Sequence, residues 1–337
     1  MKKRDADSPG QDLPLRQWTE IDVDAITRIP FNERDNKVSM AEFGQTLPVD
    51  TPPDWLAWLD SLPRLLAADK LRRLVERLVT VKTAGGTIIW MLGGHVIKTG
   101  LAPYLNDLMA RGFITTLAMN GSASIHDVEI ALFGRTSENV ARNLEDGSFG
   151  MVRETGDFFG EAYRRAAADG CGMGEGVARH LARTEAPFRE RSILHTAWRL
   201  DIPCTVHVAV GCDILHQQPG ISGDLIGQLS LRDFRILAER TRHLAPAGVV
   251  VNLGSAVVMP EVFLKAYTMA RNLGCRPEHL TTANLDMIQH YRPRENVLSR
   301  PTAWGGEAIP LTGHHEIMIP LLHVLLCAGD RRKPTHE

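Results

Sequence analysis

No apolar run in this 337-residue sequence approaches the roughly 20 residues of a membrane span, so no membrane partner is expected. Cysteine is scarce as well. The five residues (Cys171, Cys204, Cys212, Cys275 and Cys327) are scattered, odd in number and never spaced C-x-x-C. That argues against a disulfide framework and against a cysteine-rich zinc site. An excess of one charge is also missing: the formal net charge of -2 gives no electrostatic reason to expect nucleic acid as a partner. The opening residues, MKKRDADSPG, are charged but lack the apolar stretch of a signal peptide, and the expected location is a reducing cytoplasm. There is no internal repeat and no low-complexity segment. Neither G-x-G-x-x-G after the first strand nor G-x-x-x-x-G-K-[ST] is present, so the ordinary dinucleotide fingerprint and the P-loop are both absent.

What remains is the material of a large core. At 44% hydrophobic residues, the length allows one large α/β domain or two smaller ones. Residues 1–50 mix charge and proline with weak periodicity and read as a partly ordered N-terminal arm. In residues 51–82, Trp55, Trp58, Leu59, Leu62, Leu65, Leu66, Leu71, Leu74 and Leu78 recur at spacings near three and four. This is a helical extension, interrupted at Pro63, that packs on the main body or on a neighbouring subunit. Residues 83–330 then alternate. Apolar runs at Thr87–Leu92, Ile114–Met119, Pro203–Val210 and Gly248–Leu253, with a weaker one at Thr281–Leu285, read as strands. Helical patterns lie between them at Leu101–Arg111, Ile125–Phe133, Glu190–Leu200, Ser230–His243 and Val262–Leu273. Such alternation implies one α/β domain, a Rossmann-like parallel sheet covered on both faces.

The strands share a feature: each of four stops at a small, glycine-bearing turn. These are Gly93-Gly94, Asn120-Gly121-Ser122, Gly211 and Gly254-Ser255. Ligands of open parallel sheets bind beyond the carboxyl ends of strands, where glycine lets a phosphate or ribose approach the backbone. One such turn says little. Four of them point to a shared nucleotide site, against the alternative of a plain α/β sheet with its chemistry elsewhere.

The run Gly93–Asp127, GGHVIKTGLAPYLNDLMARGFITTLAMNGSASIHD, resembles the NAD-binding core of deoxyhypusine synthase. Ile202–Gly211 (IPCTVHVAVG), Val250–Val258 (VVNLGSAVV) and Thr302–Leu322 (TAWGGEAIPLTGHHEIMIPLL) are similar to later segments of that family, in the same order. The resemblance covers about residues 85–330. It implies NAD at the strand ends, a homotetramer with active sites at a dimer interface, and an NAD-dependent enzyme of transferase or oxidoreductase type with a small-molecule substrate. Members oxidise spermidine with NAD, form an imine on an active-site lysine and pass a butylamine group to a protein lysine. By the same resemblance Gly94, His95, Asn120, Gly121, Ser122, Asp127, Gly211, Gly254, Ser255, Asp286, His314 and His315 are the cofactor-binding candidates.

The reaction transfers less well than the cofactor. The family's lysine directly follows Trp-Gly, whereas here Trp304-Gly305 is followed by Gly306. Without an amine at that position no enzyme-bound imine forms there. Two acids that hold polyamine ammonium groups align with His216 and Arg300. Cationic groups attract carboxylate or phosphate and repel polyamine, so a neutral or anionic substrate is expected. His126, His216 and Lys98 are the catalytic candidates, with Arg300, Trp304 and Glu261 around the substrate. The plainer readings stand beside them: Lys98 as a solvated helix lysine, His126 as a hydrogen-bonded structural histidine, His207 as a core histidine. Cys212 as a nucleophile requires a basic partner in space. No metal is expected, because adjacent His314 and His315 diverge on regular structure and zinc needs three or four converging ligands. Genuine aminobutyl transfer from spermidine and a non-catalytic NAD-binding sensor remain the alternatives.

Overall fold

The computed structural model describes residues 21–40, 55–62 and 65–331. The remainder of the arm and Pro63, where the helical extension was expected to break, lie outside the described residues. In chain order the elements begin with β1 (Asn36–Ser39), α1 (Trp55–Ser61) and α2 (Leu66–Thr83). Then come β2 (Ile88–Leu92), α3 (Gly94–Lys98), α4 (Ala102–Ala110), β3 (Thr116–Asn120), α5 (Gly121–Phe133) and β4 (Arg135–Glu138). Four helices follow: α6 (Val140–Glu145), α7 (Arg153–Asp169), α8 (Met173–Arg183) and α9 (Ile193–Arg199). The chain continues through β5 (Cys204–His207), α10 (Gly223–Arg242), β6 (Val249–Leu253), α11 (Val258–Asn272) and β7 (Thr281–Asp286). A π-helical turn, Pro293–Ser299, leads into α12 (Arg300–Thr302), and β8 (Glu307–Thr312) and α13 (His315–Arg331) end the fold.

Six strands form one sheet in the order β5-β3-β2-β6-β7-β8, and every neighbouring pair is parallel. The chain fills one side outward from β2, then returns to β2's other flank and fills the second side from β6. The direction of filling therefore reverses between β2 and β6. This is the strand order of a Rossmann-type sheet, and the reversal opens a crevice outside the carboxyl ends of those two strands.

The unbroken apolar run of β2 follows from burial on both faces. Ile88, Trp90 and Leu92 join the core cluster shared with α2, α4, α5 and α13, while Ile89 and Met91 join the cluster under α10 and α11. Side chains alternate along a strand, so a strand covered twice must be apolar at every position. The last strand breaks that pattern. In β8 only Ile309 and Leu311 are buried, and Pro310 supplies no backbone N–H. An edge strand tolerates both departures, because one flank has no neighbour to receive a bond.

Part of the arm is built into the fold. β1 pairs antiparallel with β4, with Val38 opposite Thr136 and Asn36 opposite Glu138. Phe31, buried just before β1, stacks on Phe133 at the end of α5 with ring centroids 3.8 Å apart.

At the reversal the turns after β2 and β6 touch. A Cβ placed on Gly93 would lie 2.0 Å from the Gly254 carbonyl oxygen, and the Gly93 N–H donates to the Leu253 carbonyl at 2.9 Å. Both neighbours are backbone and cannot rotate away. Gly93→Ala is therefore expected to lower the unfolding free energy by about 1–3 kcal/mol. Gly227→Ala, in open space on α10, should be neutral or stabilise by up to ~1 kcal/mol. Urea unfolding of the two variants checks the contrast; equal effects would contradict it.

Candidate functional site

The turns at the strand ends are built by close approach of protein groups. Gly94 begins α3, and a Cβ there would lie 2.5 Å from Ser122 Oγ and 3.2 Å from His126 Cδ2. Gly121 begins α5, and its Cβ would lie 2.0 Å from Asp213 Oδ2. Gly254, in the left-handed region at φ 60°, would press its Cβ to 2.8 Å from the His315 ring. Three of the glycines thus bring side chains from neighbouring turns together. Gly211 differs: it is exposed, at φ 87°, with nothing within 4 Å of its Cβ position.

Beside these turns, at the ends of β2 and β3, lies a cavity of about 260 Å³. Its polar lining includes Arg34, Lys98, Ser122, His126, Cys212 and Asp213. Asn120 closes β3 and caps α5, its side-chain oxygen accepting from the Ala123 N–H at 3.0 Å and from Ser122 Oγ at 3.1 Å. That cap fixes where α5 starts, and so which turn of it presents Ser122 and His126 to the cavity.

His126 is held by a buried chain of hydrogen bonds. Arg34 donates from both terminal nitrogens to Glu129, at 2.8 and 2.9 Å, and both side chains are 1% exposed. Thr155 donates to the same carboxylate at 3.1 Å, and Thr136 donates its only hydroxyl hydrogen there too. The Thr136 oxygen can then only accept, and His126 Nδ1 lies 2.8 Å from it. His126 must donate from Nδ1, which leaves Nε2 as a lone-pair nitrogen. Burial pushes the imidazole down to about 4, with Lys98 and Arg34 adding to the effect and Glu129 opposing it. At neutral pH the ring is an uncharged base.

The cavity also holds a carboxyl of the opposite tendency. Burial pushes Asp213 up to about 6. A neutral imidazole, an ammonium and an acid that titrates near neutrality thus share one small space. Such a set can accept a proton from, and return one to, a substrate whose anionic group is held by Lys98.

Other expected residues fall elsewhere. Asp127 is turned away from the strand ends. It caps α9, accepting from Ser192 Oγ and from the N–H groups of Ile193 and Leu194, and burial raises it to about 6. It is buried against the start of α9 and away from the strand ends. His216 Nδ1 accepts from the Gly211 and Asp213 N–H groups at 3.1 and 3.2 Å. It shapes the loop that carries Asp213 and does not line the cavity, and burial lowers its pKa. Trp304 comes just before β8, whose first residue Glu307 is paired with Thr281 at the start of β7. It therefore lies at the amino end of the sheet, opposite the cavity, and stacks on the Arg271 guanidinium. Arg300 is exposed and donates to Asn296, which bonds Glu261; Glu261 is further paired with Lys265 and Arg292. None of these three substrate candidates lines the cavity. His207 is a core histidine of β5, bonded to Thr205 and pushed by burial down to about 3.

The cofactor candidates on the second half of the sheet do gather at strand ends. His315 donates from Nε2 to the Leu285 carbonyl at 3.0 Å, and its ring lies 5.7 Å from that of His95. Its Nδ1 is buried with no partner among the described residues. His95 is lowered by burial first, with the Lys98 charge adding to the effect. Asp286 ends β7 and accepts from the Met287 N–H, and Ser255 Oγ accepts from the Met259 N–H at the start of α11. His314 is exposed, 3.7 Å from Glu316. The unpartnered His315 Nδ1 and the Asp286 side chain are thus polar groups placed at the strand ends of the sheet's second half.

Sequence reasoning missed Arg34, Glu129 and Thr136. Arg34 is 95 residues from Glu129, and no local pattern links them.

The fold defines the chain as a Rossmann-type α/β protein with a polar cavity at its strand ends. Residues 72–151, less than a quarter of the chain, match the family model "Arginine dihydrolase ArgZ-like, C-terminal, Rossmann fold". An ornithine cyclodeaminase of Methanothermobacter thermautotrophicus is 30% identical over 64 residues, covering 19% of this chain and 16% of that protein. The cyanobacterial arginine dihydrolase ArgZ superposes with a TM-score of 0.51 at 16% identity, covering 81% of this chain and 33% of the other. A protein of Entamoeba histolytica described as a deoxyhypusine synthase gives 0.48 at 12% identity, covering 84% and 96%. The chain thus spans about a sixth of the curated relative and a third of ArgZ. The Rossmann-type fold is shared, while deoxyhypusine synthase is not singled out among the neighbours.

The tautomer of His126 is directly observable. Long-range ¹H–¹⁵N spectra should show Nδ1 protonated and Nε2 bare at pH 7, with charging only as pH falls toward about 4. Thr136→Val should abolish the single-tautomer signature. An Nε2–H ring in the wild type would contradict the assignment.

Proposed function

We propose that the chain is an NAD-dependent enzyme that acts on a carbon bearing an amine or hydroxyl, in a neutral or anionic small molecule. The observation that carries this reading is His126, a neutral base held by Thr136 in a cavity beside the crevice of a Rossmann-type sheet. NAD, when bound, would supply a transient acceptor for the hydride leaving that carbon. Gly94, Ser122, Gly254, Ser255, Asp286 and His315 would hold it. His126 Nε2 takes the proton of the amine or hydroxyl, Lys98 anchors a substrate carboxylate, and Asp213 returns a proton to the departing group. NAD would give the hydride back after elimination or group transfer at that carbon, and so would be recycled.

A hydroxy acid or an amino acid of no net positive charge fits these roles, and the cyclodeaminase that is 30% identical over 64 residues is named for an amino acid, ornithine. Spermidine-dependent aminobutyl transfer fits less well. Gly306 stands where the family's lysine stands, and the Trp304-Gly305-Gly306 segment is at the far end of the sheet from Lys98. The homotetramer implied by the resemblance to deoxyhypusine synthase belongs to the same proposal, as does a cytoplasmic location. Among the described residues no helix is long and apolar enough to cross a membrane.

The reading is tested with NAD and a panel of neutral and acidic amino acids and hydroxy acids. The expected result is substrate-dependent product formation with no net change in NADH. His126→Ala should lower kcat by about 10²–10⁴ while leaving the Kd for NAD within about twofold. NAD binding without turnover of any panel member would favour the sensor; full activity in His126→Ala would remove the base.

A further inference from the structure

A second group of side chains converges at the opposite end of the molecule from the cavity. α4 runs back from the carboxyl end of β2 toward the amino end of β3, and Asp107 lies in its last turn. Facing it from the second half of α13 are His323 and Cys327, four residues apart and so on one face of that helix. His323 Nε2 lies 2.6 Å from Asp107 Oδ2, and Cys327 Sγ lies 3.8 Å from that oxygen and 3.6 Å from Nε2. Arg111 Nε bonds the same oxygen at 2.5 Å.

We propose that Asp107, His323 and Cys327 form a zinc-binding site bridging α4 and α13, independent of the cofactor reading. A thiolate, an imidazole and a carboxylate are the three ligand types that zinc accepts, and the sulfur favours it over magnesium or calcium. Bond lengths of about 2.0–2.3 Å in a tetrahedron require ligand atoms about 3.3–3.7 Å apart. Both separations from sulfur are close to that range. The His323–Asp107 pair needs to open by roughly 0.7 Å as the shared proton leaves and the ion takes its place. His323, Cys327 and Arg111 all point to a single carboxylate oxygen, so zinc enters there as Arg111 turns away and the thiol and the His323–Asp107 protons are lost. His323 Nδ1 is buried with no partner among the described residues, so no second bond anchors the ring in its present orientation. Water supplies the fourth ligand.

Access is through Arg111. His323 is 2% exposed, whereas Asp107 and Arg111 are 25% and 27% exposed, so the arginine closes the site on its solvent side. Asp330, paired with Lys82, is the neighbouring carboxylate within electrostatic reach of Arg111 once Asp107 turns to the metal. Binding releases the thiol proton and the proton held between His323 and Asp107 to solvent. The site ties the last helix to the first βα unit of the sheet and, with water as the fourth ligand, leaves one zinc position open.

The test uses the full chain, dialysed against chelator and then titrated with zinc and, separately, with cobalt(II) as a spectroscopic probe. One equivalent of zinc should bind per chain, and cobalt should give a thiolate-to-metal charge-transfer band in the near ultraviolet. Cys327→Ser should abolish the band and weaken zinc at least about tenfold, while Cys275→Ser should keep both. His323→Gln should weaken zinc similarly, and circular dichroism confirms that each variant is folded. No stoichiometric zinc in the wild type overturns the proposal. So does a band that survives Cys327→Ser, or one lost in Cys275→Ser instead.

Discussion

A guanidinium and a carboxylate, both taken almost wholly out of water, set the geometry of the candidate site. Two charges buried together cost several kcal/mol each in lost hydration, which only close, bidentate pairing and further hydrogen bonds offset. Arg34 and Glu129 meet that condition, with Thr155 and Thr136 completing the carboxylate's contacts. The pair constrains three parts of the chain at once. Arg34 precedes β1, Glu129 is on α5, and Thr136 on β4 is the strand partner of β1. The donor count at Glu129 then leaves His126 one way to point its proton. A long-range ion pair thus settles the protonation of a cavity side chain that neither charged group needs to touch.

The same economy runs through the glycines. Those at 94, 121 and 254 are required because Ser122, Asp213 and His315 occupy the space a Cβ would need. They do not hold open a groove by themselves; they allow neighbouring strand-end turns to approach, and the turns after β2, β3 and β5 place Lys98, Ser122 and Asp213 around one cavity. The parallel sheet determines where this happens, since the direction of filling reverses between β2 and β6. Site and fold therefore depend on each other through backbone contacts, and Gly93 against Gly254 is the tightest of them.

How much of this could be read from the sequence follows from which interactions are local. The strands β2, β3, β5 and β6 each carried a run of apolar residues ending at a small glycine-bearing turn and were legible; β7, TTANLD, gave a weaker signal. β8 was not legible: Pro310 and the exposed Ala308 interrupt its run, as an edge strand allows. Lys98, Ser122 and His126 were legible because each follows directly from a strand end. Asp127 and His216 occupied suggestive positions in the chain, but the direction of a side chain is decided by what packs against it, here the start of α9 and the loop before Ile214. Trp304 was placed by resemblance alone, and the register of β7 with β8 sends it to the far end. Arg34 and the Asp107–His323 pair, separated in sequence by 216 residues, had no local signal at all.

The central claim is that the strand-end crevice and its neighbouring cavity act as one site, with cofactor on one side and base on the other. A crystal structure of the chain soaked with NAD tests that most directly. The dinucleotide should lie along the carboxyl ends of β2, β3 and β6, in contact with Gly94, Ser122 and Ser255, and leave the His126 cavity open to a substrate. Density for NAD elsewhere on the molecule, or none at saturating concentration, would contradict it.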